Sequence, residues 1–138
     1  MTNTAARAVL EAAITAADST GRSCAIAVVD AAGHLNAFAR MDGAPVIAIQ
    51  VAIDKAYTAA GFGTSTAAWH ETIRDDAPLA LGAPAQIDRL ITFGGGEPIT
   101  VGNQVIGGIG VCGGHWSEDV SIAQAGLRVL TERSPHVS

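Results

Sequence analysis

Few side chains in this 138-residue chain have types and placements suited to chemistry, and the most unusual is a single lysine, Lys55. It falls in a run from residue 45 to about 60 that carries Val46, Ile47, Ile49, Val51, Ile53 and Tyr57 and is apolar on nearly every side. A helix of that pattern is expected to be buried over most of its circumference. Burial disfavours a lysine's charge and would suit Lys55 to act as a base or an amine nucleophile. The plainer alternatives are an ion pair, with Asp42 or Asp30 the nearest carboxylates, or a stem that snorkels outward. Arg40 and Asp42 flank Met41 at the end of a predicted strand, where an arginine could clamp a ligand carboxylate through two parallel hydrogen bonds.

The four histidines are His34, His70, His115 and His136. None stands four residues from another and no Cys/His cluster occurs, so a structural zinc site is not expected. His115, beside Trp116 ahead of the last predicted helix, is a candidate metal ligand or acid/base; His34, opening a strand, is another. His70 is read as solvated and His136 as part of the tail. Nine of the 16 glycines lie between residues 94 and 114. Gly94-Gly95-Gly96 leads into a strand without a following Lys, and GGIGVCGG contains no GK[ST], so neither is a nucleotide fingerprint. Two readings remain: backbones that must approach closely, or a side-chain-free surface that could admit a flat ligand. Gly113-Gly114 ahead of Ser117 offers N–H groups that could cradle an anion, or simply form a cap.

The elements that must position these residues follow from periodicity. Residues 4 to 18 predict a helix with a small-residue stripe and Thr4 as a cap. Residues 23–30 and 34–40 predict a hairpin joined by Ala31-Ala32-Gly33. After the Lys55 helix, Thr64 or Ser65 caps a short helix to about Arg74. Residues 75–88, with two prolines and a glycine, read as a loop. Residues 89–93 read as a strand, and 97–101 pairs with 104–112 across Gly102-Asn103. Ser117 caps a last helix to about Leu130. The order α-β-β-α-α-β-β-β-α implies an α+β domain spanning 1–138, a mainly antiparallel sheet with one layer of helices.

Composition narrows the function classes. Charged residues are only 15% and net charge is −5. With 27 alanines the surface is unusually uncharged, which implies a homo-oligomer. Scattered arginines exclude a phosphate-binding face, so no nucleic-acid partner is expected. No apolar stretch is long enough for a membrane span, and no secretory signal opens the chain. Cys24 and Cys112, read as small buried hydrophobes with a disulfide left open, suit a reduced cytoplasmic protein.

The segments AVVDAAGHLNAFARMDGA (27–44), AIDKAYTAAGF (52–62), GGGEPI (94–99) and VIGGIGVCGG…EDVSIAQAG (105–126) resemble the GlcG/HbpS family, which includes the C-terminal domain of PduO adenosyltransferases. The resemblance implies a profilin-like fold with a five-stranded antiparallel sheet, assemblies reaching octamers, and haem as a candidate ligand, in proteins associated with catabolic pathways. The matching positions include Arg40, Asp42, Lys55, Thr58, Gly95, Gly96, Gly113 and Asp119. Cys112 stands where the family usually has serine, and the bulky His115-Trp116 pair where smaller residues are common. The resulting expectation is a small-molecule binding protein. Its pocket would lie where residues 40–58 meet the glycine strands, lined by Asp42, Thr58, Gly95, Gly96, Gly113, Gly114 and Trp116. The alternative is a cofactor-independent isomerase, tautomerase or lyase acting on a small carboxylated metabolite. Lys55 or His115 would move protons in it, Arg40 would hold the carboxylate, and N–H groups near Gly113-Gly114 would stabilise an enolate.

Overall fold

The computed structural model describes residues 1–131; His136 lies outside them. Five helices and four strands run in the order α1 (Asn3–Ser19), β1 (Ala25–Asp30), β2 (Leu35–Arg40), α2 (Ile47–Phe62), α3 (Thr66–Ile73), α4 (Ala77–Gln86), β3 (Gly96–Val101), β4 (Gln104–Cys112) and α5 (Trp116–Thr131). All strand pairs are antiparallel, in the sheet order β2-β1-β4-β3. Both expected hairpins form, the second turning at Gly102-Asn103 with Gly102 at φ 60°.

Two elements differ from expectation. Residues 77–86 are a helix because Asp76 caps it, accepting from Leu79 N–H at 3.1 Å. Pro78 sits in the first turn, where its missing N–H costs nothing. Residues 89–93 are not a strand, so the sheet has four strands and not five. Arg89 takes a left-handed φ of 63°, and the segment is tied to α2: the Thr58 hydroxyl donates to Arg89 O at 3.0 Å and accepts from Ile91 N–H at 3.1 Å. Caps shift as well. Thr2, not Thr4, caps α1, and His115, not Ser117, caps α5 through its Nδ1, which accepts from Ser117 N–H at 3.2 Å.

Helices cover both faces of the sheet, not one. The α1/α5 face buries Val9, Ala13, Ile26, Val28, Ile109, Val111, Ile122 and Ala123. The opposite face buries Ala25, Ala27 and Val29 against Ala48, Ala52, Ala56 and Ala60 of α2. Period-two alternation in β4 makes this possible. Ile109 and Val111 point to one face, while Gly108 and Gly110 point to the other. A Cβ on Gly108 would stand 2.5 Å from Ala56 O, and one on Gly110 would fall on Ala52 O. The β-strand glycines therefore seat the helix backbone directly on the sheet, and the space proposed for a flat ligand there is filled by α2. Close seating also leaves α2 less covered than the expected burial over most of its circumference. Its buried stripe is alanine, with Lys55 and Thr58 beside it, and the bulky Val46 and Ile47 are 72% and 74% exposed. Cys24 packs in the α1/α5 core. Cys112, paired in register with Ala25, packs on the α2 face, and both thiols are free.

If seating on glycine sets the position of α2, Gly110→Ala will lower unfolding free energy by about 3 kcal/mol or more in urea titrations, since overpacking against backbone cannot relax. Gly61→Ala, in the same helix with nothing within 4 Å of the new methyl, will instead raise it by about 0.5–1 kcal/mol.

Candidate functional site

The alanine stripe carries Lys55 inward with it. The lysine side chain is 1% exposed and crosses β4 to donate to Val111 O at 2.8 Å. It also donates to Asp119 Oδ2, in the first turn of α5, at 3.1 Å. This corrects the expected pairing. Asp30 is occupied in its own turn, accepting from the Ala32 and His34 N–H groups, and Asp42 is exposed in the loop after β2. Asp119 Oδ1 accepts from Gly114 N–H at 3.3 Å. The glycine pair expected to cradle a ligand anion thus serves an internal carboxylate. Burial pushes the Asp119 carboxyl above the usual carboxylate range, while the Lys55 ammonium and the Gly114 and Gly113 N–H groups pull it back. The same apolar surroundings push the Cys24 thiol up to about 11, with the Asp119 charge contributing.

Backbone shape accommodates the ammonium. Gly95, at φ 126°, donates no side chain, and a Cβ there would stand 2.6 Å from Lys55 Nζ. Its carbonyl accepts from Val111 N–H at 2.9 Å. Gly96 donates to the buried Thr66 hydroxyl at 2.9 Å, fastening β3 to α3. Phe93 precedes these glycines, with its ring centroid 5.0 Å from Lys55 Nζ.

The other side of Phe93 faces a cleft of about 470 Å³, lined by Ser65, Ala67, Ala68, His70 and Glu71 from α3 and its cap, and by Phe93, Gly94 and Trp116. That volume lies in the range of small-ligand sites. Phe93 and Trp116 are 44% and 48% exposed. Of the residues expected to bind or catalyse, Trp116 alone lines this cleft; Lys55 lies against its Phe93 wall, with Gly95 and Gly96 packed on Lys55. Thr58 is engaged with the 89–91 segment. Arg40 is exposed on β2 at one sheet edge, while Lys55 reaches across β4 toward the other. His115 is exposed beside Trp116, ring centroids 5.1 Å apart, with Nδ1 engaged by Ser117. His70, expected to be merely solvated, is exposed but forms part of the cleft wall. The signals overlooked were the small Ala67-Ala68 pair beside His70 and Glu71, and an aromatic residue directly ahead of three glycines.

Residues 1–128 match the HbpS-like family of haem-degrading proteins. Protein GlcG of Escherichia coli (strain K12) is 35% identical over 106 residues, which cover 77% of this chain and 76% of the relative. A double-mutant form of HbpS from Streptomyces reticuli superposes with a TM-score of 0.86 at 32% identity, covering 94% of this chain and 86% of that one. The crystal structure of a PduOC:heme complex superposes with a TM-score of 0.84 at 27% identity, covering 93% of each chain.

Removing one member of a buried pair leaves the other charge uncompensated. Asp119→Ala will therefore cost about 3–5 kcal/mol in urea unfolding, whereas the double substitution Lys55→Met/Asp119→Leu will recover most of that loss. A single variant no less stable than the double one would contradict the pairing.

Proposed function

The chain belongs to the HbpS-like family, and from that premise we propose that it is a small-molecule binding protein whose ligand occupies the cleft between α3, Phe93-Gly94 and Trp116, with haem the ligand put forward. The observation that carries the reading is the wall composition. Two half-exposed aromatic rings and the small faces of Ala67, Ala68 and Gly94 offer flat apolar surface, and His70 contributes an imidazole nitrogen. These residues fit a planar tetrapyrrole: the rings and alanines would take its faces, and His70 would hold its iron. When bound, the group supplies iron-centred redox and oxygen chemistry. The lining contains no lysine or arginine, so haem carboxylates would point to solvent. The Lys55 ammonium lies 5.0 Å from the Phe93 ring centroid, and Trp116 opens α5 directly after its His115 cap.

The chain's low charge and the outward-facing Val46 and Ile47 support a homo-oligomer, with the octamer as the assembly proposed. Native mass spectrometry will show a closed multimer, and Val46→Lys/Ile47→Lys will shift it toward monomer; a wild-type monomer at micromolar concentration would remove this part of the reading.

Titration with ferric haem will give a shifted, saturable Soret band at one equivalent per chain. His70→Ala will change its position, and Trp116→Ala will weaken binding by about tenfold or more. Wild-type spectra and affinity in both variants would exclude the cleft as the haem site.

A further inference from the structure

The chain's sole lysine sits directly behind the aromatic wall of the cleft. Lys55 Nζ lies 5.0 Å from the centroid of the Phe93 ring, and that ring is the cleft lining. Phe93 belongs to neither helix nor strand and is 44% exposed. The three glycines that follow are buried and tied to Val111 and Thr66, so the ring can move aside only by rotation about its own side-chain bonds. None of the residues that line the cleft carries an amine.

We propose that Lys55 is a carbonyl-capturing amine at the back of the cleft, reached when the Phe93 ring swings aside, and that the compounds it captures are planar aromatic aldehydes. The aldehyde class follows from the walls that remain when Phe93 is aside: Trp116 and the faces of Ala67 and Ala68 would take an aromatic body, and the amine would meet its carbonyl carbon. The proposal rests on the cleft being a ligand site and adds a covalent step to it.

The step closes with the groups present. Asp119 Oδ2, 3.1 Å from Nζ, takes one proton from the ammonium. The freed lone pair attacks the carbonyl carbon; a C–N bond forms while the C=O π pair moves to oxygen. A second proton passes from nitrogen to that oxygen, giving a neutral carbinolamine. Asp119 then returns its proton to the hydroxyl, which leaves as water as the C=N bond forms. An aldehyde and an ammonium become a protonated imine and one water, with no change of oxidation state. The pair starts and ends as a cation beside a carboxylate and passes through a neutral amine beside a protonated carboxyl, so neither group is charged without its counter-charge. Its carboxyl, raised by burial, is suited to take and return the proton.

Because Lys55 is the only lysine, the chain offers one side-chain amine and one N-terminal amine, and peptide mapping separates them. The test uses the full chain with benzaldehyde and sodium cyanoborohydride, read by intact mass and peptide mapping. Amide NMR shifts at Ala67, Ala68 and Gly94 report entry of benzaldehyde into the cleft in the absence of reductant. The expected result is cleft shifts together with a benzyl adduct on Lys55. That adduct will form on the order of tenfold faster in Phe93→Ala, where the closed fraction is removed, and will be absent in Lys55→Met/Asp119→Leu, with N-terminal labelling unchanged. Cleft shifts with adduct confined to the N-terminal amine overturn the capture while leaving the cleft as a ligand site. A Lys55 adduct no faster in Phe93→Ala overturns the Phe93 gate. Neither shifts nor a Lys55 adduct removes the aromatic-aldehyde cleft and the capture together.

Discussion

One buried ion pair constrains the rest of this molecule. Lys55 and Asp119 are both withdrawn from water, and each charge would be costly alone. The pair is tolerable only because every neighbour is arranged around it. Val111 O takes one ammonium proton, Gly114 N–H supports the far carboxylate oxygen, and Gly95 leaves out the side chain that would collide with Nζ. The contacts join α2, β4, the turn before β3 and the start of α5. These elements are far apart in sequence, so the pair fixes tertiary placement that local propensity leaves open.

Seating α2 deeply enough for Lys55 to reach across β4 requires a helix and a strand with almost no side chains between them. Alanines at 48, 52, 56 and 60 and glycines at 108 and 110 provide that contact, while Ile109 and Val111 fill the opposite core. The same seating turns Val46 and Ile47 to the surface. The alanine- and glycine-rich composition is thus a packing device on one face and the origin of an exposed apolar face on the other. The cleft is a by-product of the arrangement at its edge, where the Phe93-Gly94 segment leaves the sheet and runs beside α3 and Trp116.

Much of this was legible in the residues. Both hairpins, the placement of Lys55 on an inward helix and the concentration of glycine in one β region follow from period, turn chemistry and composition. The partner of Lys55 did not, because Asp119 in a first helical turn reads equally well as a dipole-stabilising carboxylate and lies 64 residues away. The extent to which α2 is buried was overestimated because hydrophobicity predicts which side chains are buried, whereas here the strand's glycines select the smallest ones. The fifth strand failed at Arg89, whose left-handed backbone no propensity marks, and the 77–86 helix was hidden by prolines that its first turn and last residues tolerate. The cleft was missed because it joins α3, Phe93 and Trp116, three segments with no shared motif.

The burial of the Lys55–Asp119 pair is the claim from which the seating, the cleft wall and the Phe93 contact all descend, and a single lysine makes it directly observable. A proton–nitrogen correlation spectrum of uniformly labelled protein at neutral pH should show one slowly exchanging lysine ammonium signal, with a through-space contact to the Phe93 ring. Its position should move in Asp119→Asn. A lysine ammonium signal absent through rapid exchange with solvent, in protein that is otherwise folded, would place Lys55 at the surface and contradict the account.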